Sequence, residues 1–92
     1  MLNTAILVGK IAKLENNELV IATTRSYKNE EGQYETDLIN CNIYNGIAQN
    51  VNDWCKIGDT VGIKGRIETR DNKICITVDK ISFLSSKKKE EE

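Results

Sequence analysis

The sequence predicts an all-β domain with one helix, and three observations lead to this fold class. The 92 residues suffice for one domain with a single modest core. Segments rich in Ile, Val, Thr and Tyr recur along most of the chain, as is typical of strands. Only one stretch, between the third and fourth of these segments, carries apolar residues at helical spacing. We therefore expect five strands, with one helix between strands 3 and 4.

The strands are predicted in order along the chain, and their alternation assigns faces to the third and fourth. The five segments are residues 2–14, 19–27, 34–44, 60–70 and 73–84. Because successive side chains of a strand point to opposite sides, each strand has an inward and an outward set. The predicted inward residues are Ile39, Cys41, Ile43, Val61, Ile63 and Ile67. The predicted outward residues are Leu38, Asn40, Asn42, Tyr44, Lys64, Arg66, Glu68 and Arg70.

The other three strands depart from simple alternation. In strand 2, Arg25 and Tyr27 are in phase with presumed core residues, so we expect a bulge there or a strand that runs past the barrel rim. The apolar pattern of strand 5 slips phase, which predicts a bulge near residues 79–80. Strand 1 is apolar on both faces over residues 5–8, so we expect a second subunit to cover one of them.

The helix is predicted over residues 46–56. Asn45 is its expected N-cap and Gly58 its terminator. Ile47, Val51 and Trp54 recur at helical spacing, which predicts that Trp54 belongs to the core. Residues 15–17 and 71–72 are expected to form tight hairpin turns, and residues 28–33 a longer, charged loop.

Composition excludes several functional classes. The net charge is −1, and the terminal KKKEEE carries equal numbers of both signs, so it hides no basic domain. Histidine is absent and no glycine-rich phosphate loop occurs, so we predict neither an enzyme nor a bound cofactor or metal. The three cysteines form no C-x-x-C pair and are predicted to be small apolar fillers. No signal peptide or membrane span is recognisable, so we expect a cytoplasmic protein.

Two sequence blocks carry a resemblance to a known family. MLNTAILVGKIA (residues 1–12) and KIGDTVGIKGRIETR (residues 56–70) flank the strand DLINCNIY (residues 37–44). Together they resemble the oligonucleotide/oligosaccharide-binding (OB) domain of bacterial single-stranded DNA-binding proteins. The resemblance covers residues 1–84 and implies a five-stranded OB barrel, followed by a charged tail at residues 85–92 that we expect to be disordered. Compared with the family, the first hairpin and the finger between strands 4 and 5 are short, and the finger's usual aromatic is missing.

The resemblance implies that the chain binds single-stranded DNA without strong sequence preference, in replication, repair or recombination. Tyr27, Leu38 and Tyr44 match the family's stacking positions, although Leu38 replaces a ring. Tyr34 is in phase with them, but a structural role is favoured there because it lies near the loop. The cations predicted to contact phosphates are Lys10, Arg25, Lys28, Lys64, Arg66, Arg70 and Lys73.

The partners and the exact role stay open at this point. Family members are usually homotetramers, and many end in an acidic tail with a hydrophobic tip that recruits replication and repair proteins. Here the chain shows KKKEEE without such a tip. One alternative is a primosomal adaptor of the same fold, which is usually dimeric. Another is a protein-interaction barrel whose DNA face has decayed, a reading that the near-zero net charge permits.

Overall fold

The computed structural model describes residues 1–15 and 17–85, and within them the chain forms five strands and one helix. The predicted fold class and the place of the helix are confirmed. Ser85, the first residue of the expected tail, ends the last strand, and the rest of that tail lies outside the described residues. The elements are β1 (Ala5–Glu15), β2 (Glu18–Lys28), β3 (Tyr34–Asn42), α1 (Asn45–Trp54), β4 (Thr60–Arg70) and β5 (Lys73–Ser85).

The strands close into a barrel in the order β1-β2-β3-β5-β4. Closure depends on β1, which pairs with β4 from Ala5 to Lys10 and with β2 from Lys10 onward. Gly9 lies at this change of partner, where a Cβ atom would stand 2.5 Å from the carbonyl oxygen of Ala22. Only glycine allows so close an approach between strands, so Gly9 lets β1 turn from one side of the barrel to the other.

The core fills the barrel from all five strands and the helix. The predicted inward residues of β3 are buried or half-buried, as are Val61 and Ile63 of β4. The assignment of Ile67 to the core is wrong, because its side chain is 47% exposed. The pairing of β4 with β1 ends at Gly65, so Ile67 lies on the part of the β4–β5 hairpin that extends beyond the barrel. There the amide of Asn3 bonds the backbone N–H and C=O of Ile67, at 2.9 and 2.8 Å.

Both predicted irregularities of the strands are present. In β5, Lys80 lies opposite Lys64 and Val78 lies opposite Gly65, so Asp79 is the extra residue of a bulge. In β2 the register shifts between Thr24 and Lys28, which is the segment that carries Arg25 and Tyr27. The two-residue turn between β4 and β5 has positive φ at both positions, 53° and 65°, as its Asp-Asn sequence predicts.

The helix packs one face on the barrel, but two details of its prediction are wrong. Its N-cap is Tyr44, without a capping side-chain hydrogen bond, and Asn45 is already the first helical residue. Trp54 is 73% exposed rather than in the core. The buried stripe runs through Ala48, Val51 and Cys55, and Trp54 lies to one side of it at the end of the helix. The small Cys55 takes the core position that we expected the indole to share.

The connection after the helix is fixed by backbone and carboxylate contacts. The helix ends at Trp54, earlier than predicted, and Gly58 has a φ of 99° within the following turn. The carboxylate of Asp59 accepts a hydrogen bond from the Lys56 N–H at 2.9 Å. The Gly58 N–H donates to the carbonyl of Ile11 at 2.8 Å, which ties this turn to β1.

The three cysteines are buried, as predicted for small apolar fillers. Burial raises the pKa of the Cys41 thiol to about 12, with a smaller contribution from Cys75. Within residues 1–15 and 17–85 no helix has the length and hydropathy needed to cross a bilayer. The same residues include no cluster of His, Cys, Asp or Glu side chains suited to holding a metal ion.

Candidate nucleic-acid interface

The outward side of β3 continues across β5 onto β4 as one surface. In register, Asn42 of β3 lies opposite Thr77 of β5, and Thr77 lies opposite Arg66 of β4. Residues directly opposite each other share one side of a sheet, so these three side chains belong to a single face. With the alternation along each strand, the solvent-accessible side chains of this β3–β5–β4 face include Leu38, Asn40, Asn42, Tyr44, Arg66, Glu68 and Arg70, whereas Thr77 and Cys75 on the same side are buried.

Tyr44 joins the end of β3 to the β4–β5 hairpin. Its ring is 48% exposed, so it is open to an aromatic partner from solution. Its phenol oxygen accepts a long hydrogen bond from Nη2 of Arg70, at 3.4 Å. An exposed ring therefore lies directly beside a guanidinium, which is the pairing of groups that a nucleotide requires for its base and its phosphate.

The two arginines of β4 are held loosely around one carboxylate. Nη2 of Arg70 lies 3.6 Å from Oε1 of Glu68, and Nη2 of Arg66 lies 4.0 Å from Oε2. Arg66 also lies 3.5 Å from the bulged Asp79. All these distances exceed the 2.7–2.9 Å or so of a strong charge-assisted hydrogen bond. The guanidinium N–H groups thus retain capacity for another anion.

Glu68 is fixed from the opposite strand. The hydroxyl of Thr77 donates to Oε1 at 2.5 Å, and Thr77 itself is fully buried. The pKa of Glu68 is lowered, first by this hydrogen bond and then by the charges of Arg66 and Arg70. Glu68 is accordingly a carboxylate at neutral pH, and it lies among cations that we predicted to bind phosphate.

Lysines extend the positive charge at both ends of the arginine pair. Lys73 lies opposite Arg70 at the end of the hairpin, and Lys64 lies opposite Lys80 nearer the barrel. Lys80 was missed by the sequence reasoning. The bulge at Asp79 brings it onto the side of Lys64, and the phase slip of strand 5 was the signal that could have located it.

Leu38 and Lys10 lie in one line across β3, β2 and β1 on the outside of the barrel. Lys10 lies opposite Ala22, and Ala22 lies opposite Leu38. Leu38 is exposed and supplies an apolar surface without a ring. Farther along β3, Lys28 lies opposite Tyr34, with its ammonium 5.8 Å from the ring centroid. Alternation puts Tyr34 on the same side as Leu38, so this pair adds an exposed ring and a cation near the tip of the β2–β3 hairpin.

Arg25 and Tyr27 are placed apart from the other predicted residues. Arg25 donates to both carboxylate oxygens of Asp37, at 2.9 and 3.0 Å, and to Glu35 at 2.9 Å. Asp37 is in phase with the inward Ile39, so this cluster lies on the opposite side of the hairpin from Leu38. The bond from Arg25 is the main cause that lowers the pKa of Asp37. The bond to Asp37 is likewise the main cause that raises the pKa of Arg25, to which nearby Tyr27 adds a smaller share.

The structure thus divides the predicted residues into groups. Tyr44, Arg66 and Arg70 meet in one network, and Lys64 and Lys73 lie on the same side of that hairpin. Within the described part of the chain, none of the four predicted lysines has an ion pair, whereas each of the three predicted arginines is paired with a carboxylate.

Comparisons with known proteins find similar sequences over most of this chain. Residues 2–79 match the model of the single-strand binding protein family. The chain is 40% identical over 81 residues to single-stranded DNA-binding protein 3 of Streptococcus agalactiae serotype V, with 77% of this chain and 59% of that protein covered. It is 35% identical over 81 residues to single-stranded DNA-binding protein 1 of Streptococcus pyogenes serotype M18, of which 62% is covered. The chain therefore spans about three-fifths of the length of these relatives.

Solved structures show the same fold at low sequence identity. The Plasmodium falciparum single-strand binding protein, solved in complex with single-stranded DNA, superposes with a TM-score of 0.71 at 18% identity. That match covers 92% of this chain and 96% of the other. A small single-stranded DNA-binding protein from Streptomyces coelicolor gives a TM-score of 0.67 at 17% identity, over 91% of this chain and 95% of the other.

Proposed function

This chain belongs to the single-strand binding protein family, and from that membership we propose that it binds single-stranded DNA without strong sequence preference. The binding protects the exposed strand during replication, repair or recombination. It involves no bond-making step, and the protein is not an enzyme. We also propose a cytoplasmic location, where such DNA arises. Recruitment of replication or repair proteins stays a prediction.

The contact between Tyr44 and Arg70 is the observation that supports this function most directly. A half-exposed ring provides a platform for any base, because every base has a π-face. The guanidinium 3.4 Å from the phenol oxygen is in position to bind the phosphate of the same or the next nucleotide. Each stacked base contributes roughly 1–3 kcal/mol, and this contribution depends little on base identity. Binding is therefore tolerant of sequence.

The proposed path of the strand follows the outside of the barrel. It begins at the β4–β5 hairpin, where Lys73, Arg70 and Arg66 lie, and crosses Tyr44 and the polar edge of β3. It continues over Leu38 toward Lys10, or along the hairpin toward Lys28. Arg25 and Tyr27 would be reached only by DNA that passes around the edge of the β2–β3 hairpin. They stay predictions with the weakest geometric support.

We propose further that the protein is a homo-oligomer, a tetramer first and a dimer second. On the outer side of β1, Ile6 is 76% and Val8 57% exposed. Leu84 extends this apolar patch, since Val8 and Leu84 lie on either side of Gly62, each 3.6 Å from the place of its Cβ. Exposed apolar side chains that adjoin one another favour burial against another subunit. A stable dimer on sedimentation would favour the primosomal type of adaptor, and a monomer at micromolar concentration would contradict the assembly.

A titration with oligo(dT), a duplex and an RNA strand of equal length tests the proposed function. We expect the single strand of DNA to bind more tightly than the duplex, with log K falling linearly against log salt. The slope is about −0.7 for each phosphate neutralised on a single strand, and we expect about three to five such contacts per chain. Equal affinity for the duplex, or absence of binding, would instead favour a barrel that binds proteins.

A further inference from the structure

The carboxylate of Glu68 occupies the place where a DNA phosphate would be expected. Its two oxygens face two guanidiniums, with Oε1 3.6 Å from Arg70 and Oε2 4.0 Å from Arg66. Phosphates are bound in the same way, by arginine N–H groups that converge on two anionic oxygens. Glu68 thus presents to Arg66 and Arg70 the charge that a bound nucleic acid would supply.

Glu68 is held in this place rather than merely near it. The hydroxyl of Thr77 donates to Oε1 at 2.5 Å, and Thr77 is fully buried on the neighbouring strand. Glu68 is itself only partly exposed, whereas the two arginines around it are exposed. The carboxylate is therefore the more firmly held member of the cluster, and the arginines are its more exposed partners. When a phosphate approaches, the arginines can turn to it, but the negative charge of Glu68 stays behind.

We propose that Glu68 acts as an internal competitor for the DNA phosphate and so limits affinity and speeds exchange of the strand. The inference rests on the proposed function, and it gives Glu68 a role that opposes binding. Each phosphate contact by Arg66 or Arg70 then replaces an existing ion pair instead of neutralising a free cation. It also brings two negative groups close together. Both effects weaken binding and make its salt dependence shallower.

The substitution Glu68→Gln removes the charge while keeping a side-chain oxygen that can accept the Thr77 hydrogen bond. We expect affinity for oligo(dT) to rise by about 2- to 5-fold at low salt, the scale of one surface charge interaction. The dissociation rate should fall by a similar factor. The salt slope should steepen by roughly 0.7 for each phosphate contact that is gained.

Asp53→Asn is the matched control, because it changes net charge by the same amount at an exposed position on α1, away from the β3–β5–β4 face. We expect it to raise affinity far less than Glu68→Gln. The comparison is repeated in an Arg66→Met/Arg70→Met background, where Glu68 has lost its two arginine partners. There Glu68→Gln should give no gain beyond that of Asp53→Asn, because residues that act only through each other make the cycle non-additive.

The outcomes separate this inference from the proposed function. If the wild-type chain binds oligo(dT) but Glu68→Gln binds equally or more weakly, Glu68 positions the arginines for DNA and the inference is overturned. A gain that persists in the double-arginine background would also overturn it, because the charge would then act on the strand generally. If neither protein prefers oligo(dT) over duplex, the proposed function fails and the inference fails with it. Thermal unfolding of each variant confirms that folded proteins are being compared.

Discussion

The two hairpins that carry the predicted arginines hold them in different ways. In the β2–β3 hairpin, Arg25 makes three hydrogen bonds to Asp37 and Glu35, all between 2.9 and 3.0 Å. In the β4–β5 hairpin, Arg66 and Arg70 lie 3.5 to 4.0 Å from their carboxylates. In the first arrangement, the N–H donors of the guanidinium are bonded to carboxylates of the protein itself. The second leaves them available for an outside anion.

The difference teaches that an arginine predicted from the sequence to contact phosphate can have its donors bonded to carboxylates of the protein itself. The bidentate pair of Arg25 with Asp37 links β2 to β3 at the bulge, where the regular hydrogen bonds between the two strands are interrupted. Regular pairing of β4 with β5 continues to the end of the β4–β5 hairpin, so that hairpin needs no such link. Its arginines retain donors for a ligand, with which Glu68 competes at both arginines and Asp79 competes at Arg66.

The largest expected effect is the loss of the exposed ring beside Arg70. We expect Tyr44→Ala to weaken oligo(dT) binding by ~1–3 kcal/mol, the contribution of one stacked base. Tyr27→Ala on the other hairpin should cost clearly less, since Tyr27 lies on the side of Arg25. Fluorescence-anisotropy titrations of both variants at one salt concentration make the comparison, with thermal unfolding as the check on folding. Equal losses would mean that DNA contacts both hairpins.

A smaller effect is expected from the pH dependence of the β2–β3 cluster. The bond from Arg25 lowers the folded-state pKa of Asp37 below its ordinary value of 3.8. The pair therefore stabilises the folded state above that pH, and this contribution is lost as pH falls through the lowered pKa. Urea unfolding midpoints should decrease more between neutral pH and pH 3 or so for the wild type than for Asp37→Asn. If the unfolding midpoints of the two proteins changed equally with pH, the Arg25–Asp37 pair would not contribute to the stability of the folded state.

The smallest effect is expected at Trp54, which belongs to neither hairpin. Because the indole is 73% exposed, its fluorescence should resemble that of a tryptophan in water. Trp54→Ala should cost less than the ~3–5 kcal/mol of a buried aromatic. Oligo(dT) should quench it little, because Trp54 lies at the far end of α1 from Tyr44. Strong quenching by DNA would mean that the path of the strand includes the helix.

Much of the barrel could be predicted because local signals decide it. Alternation in β3, the Asp-Asn turn and the phase slip at Asp79 each depend on a few neighbouring residues, and all three were correctly predicted. The assignments of Trp54 and Ile67 to the core were wrong, because periodicity gives the direction of a side chain but not the depth of the core beneath it. Cys55 fills the space under the helix, and β4 extends past the barrel before Ile67.

The candidate site was harder to predict because it depends on pairing between strands. The sequence locates Arg66, Arg70 and Tyr44, but the contact of Arg70 with Tyr44 joins residues 26 positions apart. The placement of Arg25 follows from the register shift after Thr24, and that of Lys80 from the extra residue at Asp79. The role of Glu68 depends on Thr77 of another strand. Local phase indicates the two bulges, but the cross-strand contacts of Arg70 with Tyr44 and of Glu68 with Thr77 have no signal in the local sequence pattern.

The salt dependence of oligo(dT) binding in two matched variants tests the central claim most directly. Arg70→Met and Arg25→Met each remove one positive charge and keep a long side chain, one on each hairpin. If the β4–β5 hairpin binds the phosphates, Arg70→Met should lower the magnitude of the slope of log K against log salt, by up to about 0.7. Arg25→Met should leave that slope unchanged. A slope lowered by Arg25→Met as much as or more than by Arg70→Met would contradict the account.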